Sequence, residues 1–100
     1  MTRVKNAIGS STVSPNPPAP YKSWLDYWEG ESNTRLRAIY FCPACETITS
    51  RANVFGCHVQ KVGFTSDKSW YIIPLCNSCN RRTDNFDIND ILLVPVPSNL

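Results

Sequence analysis

The sequence lacks any long run of apolar residues. No stretch of its 100 residues approaches the roughly 20 consecutive apolar residues that a membrane-spanning helix needs. The N-terminal segment carries basic residues but no continuous apolar run of the kind found in secretion signals. We therefore expect a soluble, cytoplasmic protein without a membrane partner.

The chain also lacks a strong excess of charge of either sign. Ten Lys and Arg residues against eight Asp and Glu give a net charge of +2, too small to indicate a nucleic-acid partner by itself. The distribution is less even, because residues 40–83 carry five basic and two acidic side chains, whereas residues 84–100 hold three aspartates and no basic residue. A basic segment is thus followed by an acidic one.

A chain this short can build only a modest hydrophobic core, so we expect it to need a covalent or metal-mediated cross-link. Five cysteines could supply one, either as disulfides or as metal ligands. Four of them form two CxxC pairs, Cys42 with Cys45 and Cys76 with Cys79, with 30 residues between the pairs. No other internal repeat is visible.

Two CxxC pairs at this spacing suit four thiolates around one tetrahedral zinc ion. Disulfides are the alternative, but a CxxC loop fits an internal bridge poorly, and a reducing compartment would not keep such bridges oxidised. We predict a structural zinc site in which Cys42, Cys45, Cys76 and Cys79 fill all four positions. Such a site has no open position for a catalytic water.

The first 20 residues contain four prolines within six positions and few apolar side chains. Such a segment buries too little apolar surface to offset the entropy lost on ordering. We predict that residues 1–20 form a flexible, Pro-rich arm and that residues 21–100 form a single zinc-stabilised domain.

A short helix is predicted directly after this arm. Ser23 is a suitable N-cap, with Asp26 three residues later in the capping-box position. Gly30 can end the helix in a left-handed conformation.

One face of this helix is strongly apolar, because Trp24, Leu25 and Trp28 fall at neighbouring positions and Tyr27 flanks them. The helix can pack on the small domain as a lid over its core. Alternatively, Trp24 and Trp28 form an exposed aromatic platform for bases or for a partner protein.

The remainder of the chain alternates short β signals with turns. We predict a strand at 37–41, a strand, turn and strand over 47–64 around Asn53 and Gly56, and a strand at 70–75. One or two turns of helix are expected within 80–90, and an extended closing strand within 91–97.

We call each CxxC pair a knuckle. The chain has a first knuckle at 42–45, a β-hairpin, and a second knuckle at 76–79 at the start of a helix, which is the order of a treble-clef zinc finger. With a histidine on the hairpin, residues 40–83 resemble the HNH, or His-Me finger, nucleases. The stretches that carry the resemblance are Cys57-His58-Val59 and the run YIIPLCNSCN at 71–80. The resemblance implies an α+β fold, a small zinc-bound treble clef, to which the N-terminal helix and C-terminal strand are added.

In that family the same positions support metal-assisted hydrolysis of a phosphodiester. The resemblance implies His58 as the general base, and Asn80 as a ligand of a second divalent ion such as Mg²⁺. Tyr71 stands where the family has an asparagine that orients the histidine. Cys57 stands where a carboxylate or imidazole holds the catalytic ion, and a thiolate is a poor ligand for Mg²⁺.

These two departures lead us to expect a binding module that does not cleave, with nucleic acid or a protein that handles nucleic acid as its partner. The alternatives are a metal-dependent DNA endonuclease that uses His58, and a regulatory or inhibitory zinc finger that binds only protein. By analogy, the resemblance suggests a phage or mobile element as the setting.

Three basic residues are candidates for contact with phosphate. Arg81 and Arg82 follow the second knuckle, and Lys61 lies on the predicted hairpin. The alternative is that the arginines form a solvated face that offsets the negative charge of the nearby thiolates.

Overall fold

The computed structural model describes residues 2–6, 17–63, 69–89 and 92–96, which fold into one sheet, a separate ribbon and one principal helix. The five-stranded sheet has the order β6-β1-β4-β5-β7, and β2 and β3 form the ribbon. The elements are β1 (Thr2–Asn6), α1 (Trp24–Ser32), β2 (Ile39–Phe41), β3 (Ile48–Ser50), β4 (Val54–Lys61), β5 (Trp70–Cys76), α2 (Asn77–Asn80), β6 (Phe86–Ile88) and β7 (Val94–Pro95). Among these elements, no helix is long and apolar enough to cross a membrane.

The hairpin of β4 and β5 is the centre of the sheet. Its antiparallel register runs from Val54 opposite Cys76 to Gln60 opposite Trp70. Residues 72–76 of β5 are all buried, which explains why this strand is a nearly continuous apolar run. Pro74 is tolerated because β7 pairs with Tyr71 and Ile72, and no strand within the part of the chain that the structure describes pairs with β5 on that side at the proline.

The N-terminal residues belong to the sheet, which differs from the expected arm over residues 1–20. β1 pairs with β4 on one side and with β6 on the other, and Val4 is fully buried. Arg3 and Lys5 alternate with Val4 and are exposed, so the strand shows the period of two that a half-buried sheet requires. Residues 7–16 of the expected arm lie outside the described residues.

The segment after the second knuckle also differs from its prediction. α2 is a single turn, and Phe86–Ile88 is a strand, not a helix. Phe86 and Ile88 are buried while Asp87 between them is exposed. Among the described residues this strand pairs only with β1, which lies in the predicted arm, so no local signal in the sequence indicates it.

The ribbon differs from the predicted strand, turn and strand in its pairing. β3 pairs back with β2, with Phe41 opposite Ile48, and a 3₁₀ turn at Arg51–Asn53 then leads into β4. Gly56 lies inside β4, not in a turn. The fold class is nevertheless confirmed as α+β.

α1 begins as predicted and ends later. The Ser23 side chain accepts a hydrogen bond from the backbone N–H of Asp26. The helix passes through Gly30 and ends at Asn33, which takes the left-handed conformation with φ 56°. Asparagine adopts this conformation more readily than most residues, so it can cap the C-terminus in place of glycine.

The apolar face of α1 packs on the sheet as a lid. Trp24, Leu25, Tyr27 and Trp28 are all buried, in a cluster with Ile72 of β5. The Trp28 indole donates to the Leu92 carbonyl at 2.7 Å. The two tryptophans therefore lie in the core, and the alternative of an exposed platform does not hold for them.

Gly56 allows α1 to approach β4 this closely. A Cβ built on Gly56 would lie 2.5 Å from the Leu25 nitrogen and 2.5 Å from the Trp24 carbonyl carbon. These are backbone atoms, which cannot rotate away.

We predict that Gly56→Ala lowers the free energy of unfolding by about 1–3 kcal/mol, because helix and strand must separate. Gly30→Ala is the matched control, since the three atoms nearest to its added Cβ all belong to the Tyr21 side chain, the closest at 2.5 Å. That ring can move, and alanine favours the helix by up to about 1 kcal/mol. Urea unfolding of both variants tests this, and equal effects would contradict the packing described.

Candidate metal centre

The four cysteines of the CxxC pairs come together at one end of the β4–β5 hairpin. Cys42 follows β2, Cys45 lies in the turn before β3, Cys76 ends β5 and Cys79 lies in α2. Their four sulfur atoms all lie within 4.8 Å of one another. The Sγ atoms of Cys45 and Cys76 are 3.7 Å apart, which matches the roughly 3.8 Å between two thiolates on a tetrahedral zinc ion with Zn–S bonds of about 2.3 Å.

The first knuckle is shaped by backbone hydrogen bonds. The Cys42 N–H donates to the Thr47 carbonyl at 3.0 Å, and the Glu46 N–H donates to the Cys42 carbonyl at 2.8 Å. Glu46 takes a positive φ of 61° to close this turn. The resulting loop points both sulfurs toward the second pair.

The second knuckle is attached to the sheet by a residue that we did not predict from the sequence. Asn6 of β1 donates through its side-chain nitrogen to the Cys79 carbonyl at 2.9 Å and to the Arg82 carbonyl at 3.0 Å. It thereby holds the loop after Cys79 against β1. No local sequence signal indicates this contact, because it depends on the pairing of β1 with β4, which is distant in the chain.

The thiols of Cys45, Cys76 and Cys79 differ in their readiness to ionise. Hydrogen bonds from Thr47 hold the pKa of Cys45, which is exposed, down at about 6. Burial raises the pKa of Cys76 and that of Cys79 above the ordinary value for a thiol. A cation must therefore drive protons off the buried thiols as it binds, so its affinity falls as the pH falls.

The arrangement can hold one metal ion such as zinc. Thiolate ligands favour zinc and other soft or borderline ions over Mg²⁺ or Ca²⁺. Within residues 2–6, 17–63, 69–89 and 92–96, no other group of three or more metal-ligating side chains lies together.

Cys57 lies close to this centre but outside the set of four. It is buried in the same apolar cluster as Cys42, Cys76 and Cys79, and its thiol lies 3.3 Å from the Phe55 carbonyl oxygen. Burial raises the pKa of Cys57 to about 12, so it remains a neutral thiol at physiological pH.

We predict that Cys79→Ala abolishes stoichiometric metal binding, whereas Cys57→Ala, a matched change at a buried cysteine in the same cluster, keeps it. Cobalt substitution measures this through the thiolate-to-cobalt charge-transfer band. One equivalent of cobalt should give a four-thiolate spectrum in wild type and in Cys57→Ala. Loss of that spectrum in Cys57→Ala would place the fifth thiol in the ligand set.

His58 lies on the face of the sheet that α1 covers. Its ring packs edge-on against Trp24 with 4.6 Å between the ring centroids. Its Nε2 atom is buried and has no hydrogen-bond partner among the described residues. Desolvation lowers the pKa of His58 to about 4, so the ring is neutral at physiological pH.

Tyr71 lies on the opposite face of the sheet from His58. It pairs with Val59, the next residue along β4, and side chains of successive residues on a strand point to opposite faces. Tyr71 packs against the cluster that contains the cysteines, and the Lys61 ammonium lies 4.9 Å from the centre of its ring. The structure therefore does not bring these two predicted site residues together.

The remaining predicted contact residues lie after the second knuckle. Asn80 ends α2 and is half-buried, and Arg81 is exposed. The Arg82 side chain makes contacts inside the protein: it donates two hydrogen bonds to the Asp84 carboxylate and lies over the Phe86 ring. Arg81 is thus exposed, whereas Arg82 is half-buried.

Comparisons with protein-family models, with curated proteins and with solved structures found no match to this chain. The resemblance to HNH nucleases thus depends on the quoted motifs alone.

The half-buried imidazole of His58 leads to a prediction about pH. Its pKa is about 4 in the folded protein, against an ordinary value of 6.5 for histidine. The unfolded chain therefore takes up the proton first as the pH falls, and stability is lost between about pH 6.5 and pH 4. Because His58 is only half-buried, solvent screens part of the effect, and we expect a loss of about 1–3 kcal/mol across this window.

His58→Phe keeps an aromatic ring beside Trp24 but removes the titration. The cysteines titrate in both proteins, so the difference between the two pH profiles of urea unfolding isolates the contribution of His58. Parallel profiles from pH 7 to pH 4 would show that His58 is not a desolvated, neutral group in the fold.

Proposed function

We propose that this chain is a zinc-stabilised binding module that does not catalyse hydrolysis. Its partner is nucleic acid or a protein that handles nucleic acid. The observation that carries the proposal is the position of His58 on the α1-covered face, while Tyr71 lies on the other face and packs in the cluster that contains Cys42, Cys76 and Cys79.

A hydrolytic site needs its base, its metal ion and the residue that orients the base within reach of one substrate atom. His58 is packed against Trp24, and its Nε2 atom is buried. The centre with four thiols has no open position for water once an ion such as zinc fills it. These features support binding over cleavage.

Zinc in this centre would provide stability that the small core does not supply. Structural zinc sites contribute about 10–16 kcal/mol in finger peptides, comparable to or above the whole stability of a small domain. Four thiolates and Zn²⁺ together carry a charge of −2, which offsets part of the basic charge of residues 40–83. Nucleic-acid binding would therefore depend on local groups such as Arg81 and Lys61.

Plasmid cleavage tests the proposal against the endonuclease alternative. Zinc-loaded protein is incubated with supercoiled plasmid in Mg²⁺, Mn²⁺ or Ni²⁺, next to His58→Ala with the same zinc content. We expect no nicking above background in either protein with any of the three ions. Cutting by wild type that disappears in His58→Ala would overturn the non-catalytic proposal.

A further inference from the structure

The outer face of the ribbon exposes apolar side chains where a two-stranded ribbon ordinarily exposes polar ones. Ile39, Phe41 and Ile48 are 69%, 56% and 66% exposed. They share one face, because Phe41 is opposite Ile48 and Ile39 lies two residues before Phe41. The inner face holds Tyr40, whose hydroxyl donates to the Pro74 carbonyl at 3.0 Å.

This pattern reverses the usual alternation of a strand, in which the solvent face is polar. Contiguous exposed apolar side chains on a small protein mark a surface that is covered in use. We call Ile39, Phe41 and Ile48 the ribbon face.

The second edge of β3 borders a groove. Residues 47–49 form one side of it, and Asn77 and Ser78 at the start of α2 contribute to the other. Within the described residues, β3 pairs only with β2. The groove holds about 250 Å³, which suits a few residues of an extended chain and excludes a folded domain.

Charge differs between the two ends of the ribbon. Arg35 and Arg37, both exposed, precede β2 at one end. The exposed Glu46 and the four-cysteine centre lie at the other end. A nucleic-acid backbone carries negative charge along its whole length and would be repelled at the second end. A peptide that has carboxylates at one end only can place them at the basic end of the ribbon and its uncharged residues at the other end.

The area of the ribbon face also limits the kind of partner that it can bind. The exposed parts of its three side chains amount to roughly 400 Å². A stable interface between two folded proteins buries about 800 Å² on each side, so a second copy of this chain could not be held by this face alone. Strand addition needs less apolar area, since main-chain hydrogen bonds supply part of the affinity.

We propose that the free edge of β3 and the ribbon face bind an extended segment of a partner protein, with aliphatic residues over Phe41 and Ile48 and acidic residues beside Arg37. This proposal rests on the proposed binding function and names the class of its partner. The segment adds a third strand to the ribbon next to the metal centre.

The test uses defined synthetic peptides and the full, zinc-loaded chain. The peptides are about eight residues of alternating valine and threonine. Four fluorescent versions are compared, with two aspartates or two lysines at either the N-terminus or the C-terminus. Fluorescence anisotropy measures their binding, and a labelled single-stranded oligonucleotide is measured in parallel.

We expect at least one aspartate peptide to bind about tenfold more tightly than its lysine counterpart, because the aspartates face the basic end. Ile48→Lys should weaken this binding by at least about tenfold, while Thr83→Lys, an exposed loop change with the same added charge, should not. Arg37→Glu should remove the preference for aspartate, while Lys5→Glu on β1 should retain it. The cobalt spectrum and thermal unfolding of each variant report whether the fold is intact.

Binding of all four peptides with equal affinity, or loss of binding in Thr83→Lys as well as Ile48→Lys, would overturn the assignment of this surface. An oligonucleotide that binds more tightly than every peptide and is lost in Ile48→Lys would assign the ribbon face to nucleic acid. Concentration-dependent dimerisation lost in Ile48→Lys would assign it to a second copy. None of these outcomes changes the expected absence of plasmid cleavage, so failure here is distinguishable from failure of the proposed function.

Discussion

The convergence of four cysteine sulfurs from two distant segments is the constraint on which this structure depends. The ribbon that carries Cys42 and Cys45 is not part of the five-stranded sheet. Outside the cysteine centre, its attachments include the Tyr40 hydroxyl on the Pro74 carbonyl and the ion pair of Arg51 with Glu29 of α1. Thiolates at these distances repel one another unless a cation lies between them, so metal binding and the position of the ribbon are coupled.

The buried residues form two clusters, which pack on opposite faces of the sheet. One face carries Cys57 and Tyr71, which pack in the same cluster as Cys42, Cys76 and Cys79, and the other carries His58 beneath α1. A register shift of one residue in β4 would exchange these positions. The pairing with β5 over seven residue pairs fixes the register, and with it the separation of His58 from the residues that the HNH pattern would group with it.

Local signals in the sequence predicted several elements well. The CxxC spacing predicted the four-cysteine centre, Ser23 predicted the start of α1, and the apolar run at 70–75 predicted β5. Each of these depends on residues close together in the chain or on the geometry of one known kind of site. The spacing of Trp24 and Trp28 on one helix face was compatible with a lid or with an exposed platform, and their burial in the structure agrees with the lid.

Features that depend on distant pairing were not predicted. β1 is five residues long with one buried side chain, and its stability comes from β4 and β6, more than 50 residues away. The prediction of a helix in place of β6 was wrong. β6 is a strand because it pairs with β1, and β1 lies in the segment predicted to be an arm. The strand at Ile39–Phe41 was predicted, but the exposure of Ile39 and Phe41 was not, because it depends on how the ribbon docks at the metal centre.

Hydrogen exchange measured with and without a chelator tests most directly whether the metal centre supports the whole fold. With zinc bound, amides of β2, β3, β4 and β5 should be protected. Removal of the metal should abolish protection in the ribbon and in the β4–β5 hairpin together, in one cooperative step. Full protection of β4 and β5 in the metal-free chain would contradict this account, since the sheet and α1 would then fold without the four-thiolate centre.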